Sequence, residues 1–80
     1  MTVRVVFLGK LADLAGAGEV ELAGPLDWAG LLAGLPAALA EAAADPRNRI
    51  AVNGALLADK PALQASGGDE IALLPPVSGG

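Results

Sequence analysis

The sequence predicts a single small domain of the α+β class, with helices packed on one face of a small mixed sheet of about five strands. Eighty residues are enough for one domain with one modest core. Hydrophobic residues make up 54% of the chain, which is typical of a folded protein rather than a disordered one. The predicted elements follow in the order strand, strand, helices, strand, strand, strand. A helix layer on one side of a sheet lets each of these amphipathic elements bury one face.

The N-terminal quarter predicts two strands joined through a short helical turn. Residues 2–8 are rich in β-branched and aromatic side chains and have apolar residues on both faces, as in a central strand or one covered by another protein. Residues 10–15 are expected to form one helical turn. Residues 19–23 alternate polar and apolar, as a half-buried strand does, and the glycines before them allow antiparallel pairing with the first strand.

Two helical segments are predicted next. Asp27 is a suitable N-cap for a helix from Trp28, because its carboxylate accepts an otherwise unpaired backbone N–H. The apolar residues of this helix fall on one stripe: Trp28, Leu31, Leu32 and Leu35. Pro36 begins a second, alanine-rich helix that is expected to extend to about Ala44.

The C-terminal half predicts three strands. Residues 50–52 and 55–57 flank Asn53-Gly54, a strong hairpin signal, and residues 70–74 form the last strand. If the first and last strands are neighbours, four apolar residues share the uncovered face of the sheet: Val6, Leu8, Ala72 and Leu74. An exposed apolar patch of this kind on a small protein usually marks a partner-binding surface.

The chain ends in a segment unlike the rest, which divides it into a domain over residues 1–74 and an extended tail over residues 75–80. Pro75 and Pro76 have fixed φ and no backbone N–H, so they end the last strand. Gly79 and Gly80 have no side chains and fit a narrow channel. Six extended residues reach roughly 20 Å, which would carry a carboxylate on Gly80 into a pocket of another protein. The alternative is an inert, frayed terminus.

Composition excludes several classes of function. Without cysteine or histidine there is no thiolate zinc site, cysteine nucleophile or imidazole base, so neither an enzyme on its own nor a metal site is expected. The net charge is −4 and the five basic residues are scattered, which disfavours nucleic-acid binding. No apolar run has the length of a secretory signal or a membrane span, so a soluble cytoplasmic protein is expected.

The remaining reactive group is the terminal carboxylate. A carboxylate is a poor electrophile until it is activated, for example as a mixed anhydride with adenylate. A sulfur donor then displaces AMP and leaves a thiocarboxylate, whose sulfur is nucleophilic. Such a protein needs a reachable terminus and a folded domain for docking, and it needs no catalytic side chain.

Residues 68–80, which end in Pro-Pro-Val-Ser-Gly-Gly, resemble the C-terminal signature of the molybdopterin synthase small subunit, a ubiquitin-like (MoaD-type) sulfur carrier of molybdenum cofactor biosynthesis. Residues 3–8, Leu14, Gly16 and residues 50–54 match the same family in the expected order. Two positions differ from the usual pattern. Ala12-Asp13 replaces a common Arg-Glu pair, and Leu73-Leu74 replaces aromatic residues before the prolines.

The resemblance implies a β-grasp fold and a set of partners. These are a molybdopterin synthase large subunit, in a heterotetramer that converts cyclic pyranopterin monophosphate to the dithiolene of molybdopterin, an ATP-dependent adenylating enzyme, and a sulfur donor. ATP is used by the adenylating enzyme, and the carrier itself holds no permanent cofactor. The resemblance also assigns positions: Gly80 is adenylated and thiocarboxylated, Pro75, Pro76, Val77, Ser78 and Gly79 form the inserted tail, and Phe7 and Leu74 are apolar docking positions.

Three other functions fit the same ending. One is a sulfur carrier of another pathway, such as thiamine synthesis, cysteine synthesis or tRNA thiolation. Another is a ubiquitin-like protein modifier that forms isopeptide bonds through Gly80. The third is an interaction module whose tail has no chemical role. The Pro-Pro-Val-Ser stretch favours the molybdenum pathway.

Overall fold

The computed structural model describes residues 1–76. Within these residues there are three α-helices: α1 (Lys10–Ala15), α2 (Trp28–Gly34) and α3 (Ala37–Ala44). A short 3₁₀ helix covers Lys60–Ala62. The described part of the chain also contains seven strands: β1 (Thr2–Phe7), β2 (Glu19–Ala23), β3 (Leu26–Asp27), β4 (Arg49–Val52), β5 (Ala55–Leu56), β6 (Gln64–Ala65) and β7 (Glu70–Leu74).

Five of the strands form one mixed sheet in the order β2-β1-β7-β4-β5. The central pair, β1 and β7, is parallel, and every other neighbouring pair in this sheet is antiparallel. The predicted α+β class, the strand count and the central position of the first and last strands are therefore confirmed. β3 and β6 form a separate two-stranded sheet that the sequence did not predict, because two residues are too few to show an alternating pattern.

The core lies between the main sheet and the helices. The inward side chains of β1 and β7 are almost completely buried and meet apolar residues of the three helices and of the loop around the 3₁₀ helix. The largest fully buried side chains are Val3, Val5, Leu31, Ile50, Leu63, Ile71 and Leu73. The one buried polar side chain among residues 1–76 is Asn48, whose Nδ2 donates to the Ala42 carbonyl at 2.8 Å. The helices thus cover one face of the sheet, as predicted.

The boundaries of the helices follow from local chemistry. Asp27 Oδ1 accepts from the Gly30 N–H at 2.7 Å, so the predicted N-cap of α2 is confirmed. Pro36 precedes α3 as its N-cap residue. The last carbonyls of a helix have no hydrogen-bond partners within the helix itself. At the end of α3, Lys60 Nζ supplies such bonds by donating to the carbonyls of Ala43 at 2.8 Å and Asp45 at 2.7 Å.

The predicted hairpin is present, and it also fixes the start of β7. Asn53 and Gly54 both have positive φ, 50° and 84°, as a type I′ turn requires. The Asn53 side chain accepts from the Glu70 N–H at 2.9 Å and donates to Asp69 Oδ1 at 3.1 Å. Asp69 Oδ2 in turn accepts from the Ser66 N–H at 2.8 Å. These bonds hold the pKa of the Asp69 carboxyl below its usual value, since the Ser66 and Asn53 donors favour the ionised form.

Across residues 1–76, no helix has the length and apolar character needed to cross a membrane. The same part of the chain contains no cluster of acidic side chains arranged to hold a metal ion.

Candidate docking face and tail root

The face of the main sheet that points away from the helices, called here the open face, carries a continuous apolar row across four strands. In the sheet register Val6 of β1 lies beside Ala72 of β7, Ala72 beside Ala51 of β4, and Ala51 beside Leu56 of β5. Leu56 is 68% exposed and is the most exposed side chain of the row. Val6 and Ala72 are half-buried, whereas Ala51 is only 7% exposed, so the exposure of the row is uneven.

Two further apolar residues lie beside the row at the C-terminal ends of β1 and β7. Leu74 is the last residue of β7 and is half-buried. Leu8 directly follows β1, is 42% exposed, and donates its N–H to the Leu73 carbonyl at 3.1 Å. Val6, Leu8, Ala72 and Leu74 therefore share the uncovered face, as the strand alternation predicts.

Phe7 does not belong to this face. Its side chain is 2% exposed and forms part of the core, because β1 alternates and Phe7 is in phase with the buried Val3 and Val5. The expectation that Phe7 is a docking position is therefore corrected, since a buried ring offers no surface to a partner. The next residue in the chain, Leu8, is the one that reaches the surface.

The tail leaves the domain through a close contact between Gly9 and Pro75. Gly9 has φ 56° and ψ −130°, a conformation that glycine adopts and other residues avoid. A Cβ at this position would lie 3.1 Å from Pro75 Cγ. Pro75 is half-buried and Pro76 is exposed. Without a backbone N–H, Pro75 cannot donate the next bond of the β1–β7 ladder, which ends at Leu8 and Leu73. This contact is called here the tail root.

The predictions for Val77, Ser78, Gly79 and Gly80 lie outside the described residues. Of the predicted tail, the structure places Pro75 at the tail root and Pro76 directly after it.

The open face is polar at its other end, near the starts of β1 and β7. Arg4 of β1 forms an ion pair with Glu70 of β7, and its Nε lies 3.8 Å from Glu19 Oε2 on β2. Glu21 lies opposite Arg4 in the register. The hydrogen bond to Glu70 and the surrounding carboxylates raise the pKa of the Arg4 guanidinium, so this group stays charged.

Several residues of this region were not predicted from the sequence. Ala51 and Leu56 were detectable, since a type I′ turn at Asn53-Gly54 pairs Val52 with Ala55 and therefore places the next pair on the opposite face. Gly9 carries no sequence signal for its role, because its contact with Pro75 joins positions far apart in the chain.

Comparison with known proteins identifies the family. The model of the ThiS family matches residues 5–80. This chain belongs to the ThiS family. The predicted resemblance to MoaD-type ubiquitin-like sulfur carriers is thereby confirmed at the level of the family, and the β-grasp fold is confirmed with it. No curated protein matches the chain.

Solved structures similar to this ThiS-family chain include two kinds of protein. The small archaeal modifier protein SAMP1 from Methanosarcina acetivorans is 27% identical with a TM-score of 0.79, over 99% of this chain and 96% of that one. SAMP1 from Haloferax volcanii is 26% identical with a TM-score of 0.73, over all of both chains. A chain from the complex of subunits 1 and 2 of molybdopterin-converting factor from Helicobacter pylori is 29% identical with a TM-score of 0.70, also over all of both chains.

Proposed function

We propose that this protein is the small subunit of a molybdopterin synthase and that a thiocarboxylate on Gly80 donates sulfur for formation of the dithiolene. The proposal is supported by the Pro-Pro-Val-Ser-Gly-Gly ending, which lies inside the match of residues 5–80 to the ThiS family. It is also supported by the similarity to a chain of the Helicobacter pylori complex of molybdopterin-converting factor subunits. The observation that carries it in the structure is the tail root, where the last strand ends beside an uncovered apolar face.

The proposed chemistry needs no side chain of this protein. An adenylating enzyme transfers AMP from ATP to the Gly80 carboxylate and releases pyrophosphate, which forms the acyl adenylate. Hydrosulfide, delivered by the sulfur donor, then attacks the carbonyl carbon, the bond to AMP breaks, and the thiocarboxylate remains. In the synthase this sulfur bonds to a carbon of the pterin precursor and an oxygen substituent of that carbon leaves. Water then attacks the acyl carbon, the acyl C–S bond breaks, and the carboxylate is restored; two carriers in turn supply the two sulfurs of the dithiolene. The domain contributes by docking and by directing the tail into each partner.

The open face is the proposed contact with the large subunit. Its apolar row and Leu74 would be buried in the complex, while the backbone beyond Pro75 enters the partner's active site. Burial of such a patch stabilises an interface by about 25 cal/mol for each Å² of apolar surface removed from water, less the cost of association. We therefore expect the face and the tail to bind as one continuous surface.

Removal of Gly80 tests the proposal. We expect the shortened chain to stay folded, because the core is built from residues 3–73, and to lose sulfur transfer completely. Glu41→Gln, on the exposed side of α3, is the matched control and should retain activity. Synthesis of molybdopterin from the precursor with purified large subunit is the measurement. Product formed by the chain without Gly80 would refute the proposal.

A second function, covalent protein modification, is favoured by the similarity to the SAMP1 proteins. A modifier would form an isopeptide bond between Gly80 and lysines of other proteins. Mass spectrometry distinguishes the two functions. A carrier isolated from a competent host shows exchange of one oxygen for sulfur in its intact mass, whereas a modifier leaves branched Gly-Gly remnants on the lysines of other proteins.

A further inference from the structure

Most cations of this acidic protein are engaged within the domain. Arg4 pairs with Glu70 and Glu19, Arg47 pairs with Asp45 at 2.9 Å, and Lys60 donates to the carbonyls of Ala43 and Asp45. Lys10 and Arg49 are the exceptions. Within residues 1–76, neither has a carboxylate oxygen within 4.0 Å.

Both of these cations flank the tail root. Arg49 begins β4 and lies directly opposite Leu74, the last residue of β7, on the open face. Lys10 directly follows Gly9, which contacts Pro75. The two residues are far apart in sequence, and the fold brings them to the two sides of the point where the tail leaves the domain.

Stability of the isolated domain does not account for either position. Lys10 is the first residue of α1, where the partial positive charge of the helix N-terminus disfavours a cation. Arg49 is exposed beside the apolar row. Arginine is enriched at protein interfaces because its planar guanidinium pairs with carboxylates there.

The opposite end of the open face carries the opposite charge. Glu19, Glu21 and Glu70 surround the single cation Arg4, so this end is net negative. At ~3.3 Å per residue, the four steps along the chain from Arg4 to Leu8 place Glu21 and Glu70, which lie beside Arg4, roughly 13 Å from the tail root, whereas Glu19 lies opposite Val6 and is roughly 7 Å from it. The larger separation exceeds the Debye length of about 8 Å at physiological ionic strength, so a partner at the tail root is largely screened from Glu21 and Glu70 and less so from Glu19.

We propose that Lys10 and Arg49 form a cationic collar around the tail root that pairs with carboxylates at the mouth of the channel in the large subunit that receives the tail. This inference rests on the proposed function and adds the charge of the partner surface to it. With the negative end of the open face, the collar makes the face dipolar. The dipole aligns the carrier during encounter so that the tail root, rather than the acidic end, meets the channel.

Charges at the rim of an interface act mainly on the association rate and on its dependence on salt. We therefore expect Arg49→Glu and Lys10→Glu each to lower kon for the large subunit by about 2- to 10-fold at low ionic strength. The dissociation rate should change little, and the difference from the wild type should disappear at high salt. The double variant should lower kon further.

The controls separate this electrostatic effect from damage to the fold. Arg47→Glu makes the same change of charge in the loop before β4, where Arg47 pairs with Asp45. Because this loop is not part of the open face, the variant should leave kon unchanged. Lys10→Glu removes an unfavourable cation from the start of α1, so its melting temperature should not fall. A reduced kon in a variant of unchanged or higher stability cannot come from unfolding.

Stopped-flow kinetics with purified large subunit at low and high salt decides the outcome. Equal kon for Arg49→Glu and Arg47→Glu at low salt would overturn the collar, as would a faster association of Arg49→Glu. Neither result would affect wild-type binding or sulfur transfer. The collar would then be refuted while the proposed function remained supported. If the wild type did not bind the large subunit at all, both would fail together.

Discussion

Substitution of Gly9 is predicted to affect stability and tail presentation together. Its φ of 56° with ψ of −130° is essentially restricted to glycine, so Gly9→Ala costs about 1–3 kcal/mol of unfolding free energy. For a domain of this size each kcal/mol lowers Tm by about 4–8 °C, so a decrease of about 4–24 °C is expected. The added Cβ would also lie 3.1 Å from Pro75 Cγ and would push that ring away from the domain.

Two other glycines near α1 provide matched controls. Gly16 also has positive φ, 70°, but a Cβ there would meet nothing within 4 Å. Gly16→Ala should therefore lower stability, by about 1–2 kcal/mol, without moving the tail root. Gly18 has neither constraint, and Gly18→Ala should be neutral or stabilise by up to about 1 kcal/mol.

Thermal unfolding and large-subunit affinity, measured at a temperature where all three variants are folded, test the two effects separately. We expect weaker binding and slower sulfur transfer for Gly9→Ala, and wild-type values for Gly16→Ala although it is also destabilised. Equal stability of Gly9→Ala and Gly18→Ala would refute the strain argument. Equal binding of Gly9→Ala and Gly16→Ala would refute the claim that the contact with Pro75 directs the tail.

Three further predictions concern the open face, the N-cap of α2 and the acid limit of stability. Leu74→Asp should leave the domain folded and weaken large-subunit binding, measured by calorimetry, by about 1–3 kcal/mol. Phe7→Asp should instead unfold the chain, because its carboxylate would lie in the core. Unchanged binding of Leu74→Asp would contradict the docking face. Asp27→Ala should lose about 0.5–2 kcal/mol of unfolding free energy in urea titrations, and a wild-type midpoint would contradict the cap. Arg47 holds the pKa of the Asp45 carboxyl at about 2 against an ordinary 3.8, and the pKa of Asp69 is also lowered. Because the folded state favours both ionised forms, their contribution to stability is present above about pH 4 and is lost as pH falls towards 2, and Asp45→Asn should flatten this dependence.

The sequence predicted the elements whose signals are local. Asp27, Asn53 and Gly54 act through neighbours within a few residues, so their capping and turn roles follow from residue type alone. The alternation of β1 and β7 likewise assigned the open face correctly. The docking role of Phe7 came from family resemblance rather than from this alternation, and the alternation proved to be the better guide.

What could not be predicted depends on contacts between distant parts of the chain. β3 and β6 are two residues long and exist only because they pair with each other. The contact of Gly9 with Pro75 and the position of Arg49 opposite Leu74 arise from the parallel pairing of β1 with β7 and the antiparallel pairing of β7 with β4. Periodicity along one segment carries no information about such register.

The parallel pairing of β1 and β7 also explains why the two ends of the open face differ in construction. At the starts of both strands the backbone is tied down, since Gly24 N–H donates to the Met1 carbonyl and Gly68 N–H donates to the Thr2 carbonyl, both at 2.8 Å. A Cβ on Gly67 would lie only 2.2 Å from Met1 Cβ, so the connection before β7 packs tightly against the N-terminal residue. At the other end the ladder stops at Pro75, which has no N–H to donate. The connections before β7 and after β2 are therefore bonded to the first two residues of the chain at the acidic end, whereas at the end flanked by Lys10 and Arg49 the β1–β7 ladder ends at the bond from Leu8 to Leu73. A domain whose proposed chemistry takes place beyond its last strand needs its ladder to end at that point.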